Sequence, residues 1–217
     1  MELPMQNISE EIAKDNSFNI VGILLIDHAY LRECIEVILN DEADKHQKLF
    51  FARTFLDTLT KHSAAEEKTV YDSLIDMDEL HAKVLECEVE HAIVERMIST
   101  LWPRMARLKD LDDVTEAEIR TLAKIVRNHI DEEERTLFPL IKENLDQSIL
   151  NEIGFQFMIL RRFTPQDLEN YPELQKEIYY NSCNSKRNIY QWSGDFVKKV
   201  NRYIGAIVSQ SPYFIKT

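Results

Sequence analysis

A ten-residue stretch occurs twice in this chain, at residues 62–71 and 129–138. Each copy reads His, three residues, Glu-Glu, a basic residue, Thr, an aliphatic residue and an aromatic one. A shorter repeat joins Asp-His-Ala at 27–29 to Glu-His-Ala at 90–92. The order along the chain is a single His, His-x-x-x-Glu, a single His and a second His-x-x-x-Glu. This order predicts two similar halves, each offering ligands to a metal.

Composition favours an all-α protein and excludes some functions. The 217 residues contain only four Gly and six Pro, with no Asn-Gly or Asp-Gly hairpin signals. A net charge of −12 argues against nucleic-acid binding, which requires a basic face. The longest apolar run, residues 20–26, is too short to span a membrane, and nothing reads as a signal peptide. Three scattered cysteines do not form a disulfide framework, so we expect a soluble cytoplasmic protein.

Apolar positions spaced by threes and fours predict four long helices with short connections. Such helices form an antiparallel up-down-up-down four-helix bundle, which we place at residues 18–160. A shorter helix over 148–162 is predicted to cap this bundle. A polar arm, residues 1–17, precedes it. A Tyr-rich helical extension, residues 161–217, follows it and is predicted to pack on the bundle or to form a homo-oligomer contact.

Local signals predict where two of the helices are interrupted or begin. Pro103 should kink or end the third helix, and Pro139 should break or kink the fourth just after the second repeat. A capping box at 115–118, Thr-Glu-Ala-Glu, is predicted to start the fourth helix.

Each predicted helix carries His, or His plus Glu, on the stripe that should be apolar. Six polar groups are therefore aimed at one core: His28, His62, Glu66, His91, His129 and Glu133. Because residues four apart share a helix face, each His of the ten-residue repeats lies above its Glu. Burying two carboxylates without partners costs several kcal/mol each, and a bound metal pair offsets that cost. The pattern predicts a di-metal site in the bundle core.

The internal symmetry distributes these ligands between two metals. His28 and His62 are assigned to one metal, and the two histidines of the second half to the other. Glu66 and Glu133 are predicted to bridge them. Imidazole and carboxylate ligands suit two iron ions, with manganese as the alternative, and an oxo or hydroxo bridge would leave open positions for a small molecule.

Neighbouring residues are weaker candidates for contact with the site. Cys87, one turn before the third histidine, is either a small buried thiol or a contact of the site. Tyr71 and Phe138, at matching positions of the repeat, are predicted to pack beneath it. The adjoining carboxylates are either solvated or orient a histidine: Glu67, Glu90 and Glu134. His46 and His81 fall off the stripes and are predicted to be surface residues.

The motif set resembles the hemerythrin-like, or His-His-Glu cation-binding, family of four-helix di-iron proteins. The resemblance rests on residues 27–28, 62–67, 90–91 and 129–139, in that order on predicted helices. Ferritin-like proteins differ, since their motif places Glu before His. The oxygen-carrying members have a fifth histidine at the position of Cys87. Its absence leaves the two metals nearly equivalent and both open, which disfavours reversible oxygen carriage.

The resemblance implies three functions that the sequence leaves open. The first is binding of a small diatomic, O2 or NO, for sensing, storage or stress protection. The second is an enzyme that consumes peroxide or NO, or an iron donor in iron–sulfur cluster repair. The repair relatives carry an amino-terminal cysteine-bearing domain, whereas residues 1–17 contain no cysteine. The third is a non-catalytic iron sensor or interaction module.

Overall fold

The computed structural model describes residues 19–162, which are helical and contain no strand. The helices are α1 (Ile20–Leu39), α2 (Lys45–Glu66), α3 (Asp78–Met105), α4 (Asp113–Glu132) and α5 (Gln147–Leu160). None of the helices in this part of the chain is long and apolar enough to cross a membrane. The predicted arm and nearly all of the predicted extension lie outside the described residues.

Both helices that carry the ten-residue repeat continue through a π-helical turn. The turns are Glu67–Tyr71 after α2 and Glu133–Leu137 after α4, followed by the short α-helical segments Asp72–Leu74 and Phe138–Asn144. In the second turn, the Phe138 amide bonds to the Glu133 carbonyl five residues earlier. Such turns insert one extra residue into a helix and are frequent at functional sites. Their equivalent positions agree with two similar halves, although the sequence analysis did not predict them.

The fourth helix does not break at Pro139, so the part of the prediction that expected a break there was wrong. The helical backbone continues from the π-helical turn into Phe138–Asn144, and Pro139 lies in the first turn of that segment. A proline inside a continuous helix removes one backbone hydrogen bond, and the π-helical turn that precedes Pro139 already departs from the regular α-helical bonding pattern. Pro103 lies inside α3, which ends two residues later.

The predicted capping box of the fourth helix was also wrong. Asp112 is the N-cap, and its carboxylate accepts hydrogen bonds from both the amide and the hydroxyl of Thr115. Thr115 is therefore the third residue of α4 rather than its N-cap. Aspartate is among the strongest N-cap residues, and its carboxylate also favours the positive end of the helix dipole.

Contacts link the helices into a closed ring. Helix α1 contacts α2 and α4, and α3 contacts the same two helices, while α5 packs against α1, α2 and the first π-helical turn. One apolar cluster joins the start of α1 and α3 to the ends of the helices that carry the repeats. A second cluster joins the opposite ends of these four helices. The six polar residues predicted from the sequence fall between the two clusters along every helix.

Candidate metal centre

The structure brings all six predicted site residues together in one buried layer. Each of them is at most 5 % exposed: His28, His62, Glu66, His91, His129 and Glu133. Each residue comes from the apolar-facing stripe of its helix, as the spacing predicted. The layer is therefore a shared interior site rather than four separate buried histidines.

Glu66 connects the two halves of this layer. Its Oε2 lies 3.3 Å from Nε2 of His62 and 3.6 Å from Nε2 of His91. Two sets of residues have ligand atoms within 4.8 Å of one another and could each hold an ion: His28, His62 and Glu66, and Glu66, His91 and His129. Glu66 belongs to both sets, which is the position expected of a bridging carboxylate.

Glu133 also spans the halves but has a different environment. Its Oε2 lies 3.5 Å from Nε2 of His28 and 3.4 Å from Nε2 of His129. Its Oε1 accepts a hydrogen bond of 2.6 Å from the Tyr71 hydroxyl, which also lies 3.3 Å from Nε2 of His91. Glu133 is in neither of the two ion-sized sets. Tyr71 therefore contacts the site directly, whereas the sequence predicted only packing beneath it.

Each of the four histidines is oriented by a carboxylate from a neighbouring helix. The pairs, from Nδ1 to the carboxylate oxygen, are His28 with Glu134 at 2.9 Å, His62 with Asp27 at 3.3 Å, His91 with Glu67 at 3.1 Å and His129 with Glu90 at 2.7 Å. A carboxylate at Nδ1 keeps a proton on that nitrogen, so that Nε2 is the nitrogen that faces the layer and can bind an ion once it has lost its own proton. This is the arrangement by which proteins orient metal-binding imidazoles.

The donor set fits a cation. Among the described residues, buried atoms of this layer lack a hydrogen-bond partner: Nε2 of His28 and His62, both carboxylate oxygens of Glu66, and Oε2 of Glu133. Buried acceptors without partners are costly, and a metal ion satisfies them. Nε2 of His91 lies 3.0 Å from Nε2 of His129. Two nitrogens bound at right angles to one metal, each at about 2.1 Å, are about 3 Å apart.

Charges within the layer shift the pKa values of its groups. Burial acts to lower the pKa of His62, but the negative charges of Glu66 and Asp27 outweigh it and raise that pKa to about 10. Burial acts to raise the pKa of Glu66, but His62 holds it at about 2. For His129, burial is likewise outweighed by Glu133, and the pKa is raised. Glu66 is therefore anionic at neutral pH, and its charge is compensated by the protonated imidazole of His62, a role that a bound cation would take over.

The remaining candidates divide between the site and the surface. Burial, with the nearby charges of Glu133 and Glu66, raises the pKa of the Cys87 thiol, which is 1 % exposed. Cys87 is thus a neutral buried thiol in an apolar cluster, which is the first of the two alternatives that the sequence left open. His46 and His81 are exposed, as predicted.

Two arginines at the site were missed by the sequence analysis. Arg32 donates a hydrogen bond of 2.7 Å to Glu134, and Arg161 donates one to Asp27. Arg32 lies one helical turn after His28, so its spacing could have placed it near the site. Arg161 lies 134 residues from Asp27, and no local pattern indicates this contact.

A ring of helices around buried imidazole and carboxylate donors defines a helical cation-binding protein. The profile of the hemerythrin HHE cation binding domain matches residues 19–141, more than half of the chain, and the chain belongs to this family. Membership implies metal binding, with iron as the expected metal. Neither a curated protein nor a solved structure shows a significant match to the chain. The family match ends before α5 begins.

Proposed function

We propose that this chain is a non-haem di-iron protein. The donors of the first ion are His28 and His62, those of the second are His91 and His129, and the bridges are Glu66 and Glu133. The observation that carries the proposal is Glu66, since both of its oxygens are buried without a hydrogen-bond partner and it belongs to both ion-sized sets. Two cations bound on either side of this carboxylate would offset the free-energy cost of burying its charge.

The site is proposed to lie within an antiparallel up-down-up-down bundle that forms one domain over residues 18–160. The closed ring of contacts among α1, α2, α3 and α4 supports this arrangement. It is supported further by the apolar cluster that combines the starts of α1 and α3 with the ends of the other two helices. Only helices that alternate in direction bring those ends to one side of the site.

Iron suits the donors better than a soft metal does. The layer offers imidazole and carboxylate groups, and its nearest thiol, Cys87, is held neutral. Manganese is the alternative with the same ligand preference. Two oxo- or hydroxo-bridged ions would supply open positions and electrons for a small diatomic such as O2 or NO. The protein would use this chemistry for sensing, storage or stress protection.

The chain's own residues prepare the layer for such a ligand. Four carboxylates hold the Nδ1 protons, so the imidazoles need no rearrangement when an ion binds. Phe138 stacks on His28 with ring centroids 5.4 Å apart, and Phe157 contacts His62 edge-on. These apolar rings limit the access of water to the first half of the site.

The test is to purify the protein without air and measure iron per chain. We expect about two iron ions and a change in the optical spectrum when O2 or NO is added. His62→Ala and His129→Ala should lose much of the metal. His46→Ala and His81→Ala, which remove exposed histidines, are the matched controls and should retain it. A folded wild-type protein that takes up neither iron nor manganese overturns the proposal.

One observation favours an enzyme as the second candidate. Tyr71 places a buried hydroxyl 3.3 Å from Nε2 of His91 and donates to Glu133. Burial and the charge of Glu133 raise the Tyr71 pKa well above its usual range, so the hydroxyl keeps its proton. A protic group here could serve the reduction of peroxide or NO. Peroxide loss over many turnovers, strongly reduced in Tyr71→Phe, would establish this function; a single stoichiometric reaction would exclude it.

A further inference from the structure

We infer that α5, which lies beyond the matched family domain, contributes to metal binding by positioning one of the ligands. Arg161, at its carboxyl end, is assigned as the positioning residue for His62. The inference rests on the proposed function, because it concerns how one of the two proposed ions is held. It adds a structural element and a residue that neither the repeats nor the family match includes.

The contact from α5 reaches His62 through one buried carboxylate. Nε of Arg161 donates to Oδ2 of Asp27, and the same oxygen lies 3.3 Å from Nδ1 of His62. Asp27 is 4 % exposed, and its position in α1 places it between the arginine and the imidazole. Arg161 thus positions Oδ2 of Asp27, and that oxygen in turn positions the imidazole of His62.

A second residue of α5 holds the same imidazole from another side. The ring of Phe157 meets that of His62 edge-on, with centroids 5.8 Å apart and planes at 79°. Phe157 is completely buried in the apolar cluster that contains the first π-helical turn. Helix α5 therefore places an apolar ring and, through Asp27, a charged contact against one ligand.

The corresponding contacts of His28 come from within the family domain. Its orienting carboxylate, Glu134, is held by Arg32 of α1, and its stacking partner is Phe138. Docking of α5 should therefore affect the ion at His62 through a route that the other ligands lack. Because coupling between binding and docking is reciprocal, iron at this position should in turn hold α5 in place.

Arg161→Gln in the full chain tests the inference, since it removes the charge at a half-exposed position and should leave the fold intact. Ferrous iron is added under argon, and the affinity of each ion is measured by chelator competition. Loss of the group that bonds to a metal-binding histidine weakens binding by roughly 10–100-fold. Because Arg161 acts through that group, Asp27, we expect an effect at the lower end, about 10-fold, and for one ion only. Arg161→Lys should restore much of the affinity. Arg162→Gln, the adjacent exposed arginine, is the matched control.

A second measurement follows α5 itself by hydrogen exchange over residues 150–160. Iron should slow exchange there in the wild type and in Arg162→Gln, and this effect should be much smaller in Arg161→Gln. If Arg161→Gln binds both ions as tightly as Arg162→Gln does, the inference is overturned and the di-iron proposal stands. Iron that leaves α5 exchange unchanged in the wild type overturns it as well. Wild-type protein that takes up no metal overturns both.

Discussion

Around His28 and His62, each orienting carboxylate is paired with an arginine and largely shielded from water, whereas around His91 and His129 each is more than a third exposed. The exposed fractions of these side chains are 5 % for Asp27, 24 % for Glu134, 41 % for Glu67 and 37 % for Glu90. An arginine shares the charge of its carboxylate and also fixes that carboxylate in place. The first pair of histidines therefore faces carboxylates that are fixed by arginines and shielded from water, and the second pair faces carboxylates that are better solvated.

The aromatic residues at the end of each repeat widen this difference. Phe138 stacks on His28, whereas Tyr71, at the equivalent position of the other repeat, approaches His91 and donates to Glu133. The surroundings of His91 thus include a hydroxyl, whereas those of His28 include an unsubstituted phenyl ring. The sequence analysis expected two nearly equivalent metals; the surroundings of the two proposed positions differ although their ligands match.

Removing the shared carboxylate should have the largest effect. Glu66→Ala takes a ligand from both ion-sized sets, so we expect metal content to fall from about two ions per chain to well below one. The measurement is metal analysis after anaerobic reconstitution with ferrous iron. Glu143→Ala, at an exposed position, is the control. If Glu66→Ala keeps one full ion, Glu66 serves one position only and the shared-site assignment fails.

Removing one histidine from each half should separate the two positions. His28→Ala and His129→Ala are each expected to keep about one iron ion per chain, since the other set keeps its own histidines. Because the surroundings differ, the two remaining ions should give different Mössbauer spectra. Identical spectra would mean that the arginine and tyrosine contacts do not affect the bound ions, and the proposed difference between the two positions would be wrong.

Changing the orienting carboxylates should weaken metal binding to different degrees. Glu134→Gln and Glu67→Gln are matched, since they occupy equivalent repeat positions and each faces a histidine Nδ1. Loss of such a partner typically weakens metal binding by about 10–100-fold. We expect the larger effect from Glu134→Gln, because that carboxylate is less exposed and also anchors Arg32. Chelator competition measures both; a larger loss for Glu67→Gln would reverse the proposed ranking.

Exchanging the aromatic residues should have the smallest effect on metal content. Tyr71→Phe removes the donor to Glu133 and should destabilise the metal-free protein by about 1.5–3 kcal/mol, the usual range for a hydrogen bond to a charged group. Denaturant unfolding measures this, with iron content expected to stay unchanged. Phe138→Tyr is the symmetric counterpart and should not restore the lost stability. A Tyr71→Phe variant as stable as the wild type would show that the hydroxyl is dispensable.

The meeting of six polar side chains in one buried layer could be predicted from sequence because helical periodicity is a local property. His62 and Glu66 are four residues apart, so they share a face in any helix, and the interrupted stripe identifies that face as buried. Pro139 and the fourth helix's cap were misjudged because a π-helical turn and Asp112 supplied local alternatives.

The partners of those donors were decided only by the tertiary structure. Asp27 adjoins His28 in sequence but orients His62, because consecutive residues on a helix point about 100° apart and so face different neighbours. Arg161 reaches the same carboxylate across 134 residues, which only the packing of α5 on α1 brings about. The repeats determined by themselves which polar groups lie in the buried layer. The packing of the helices determined how firmly each is held, because side chains far apart in sequence meet only in the folded chain.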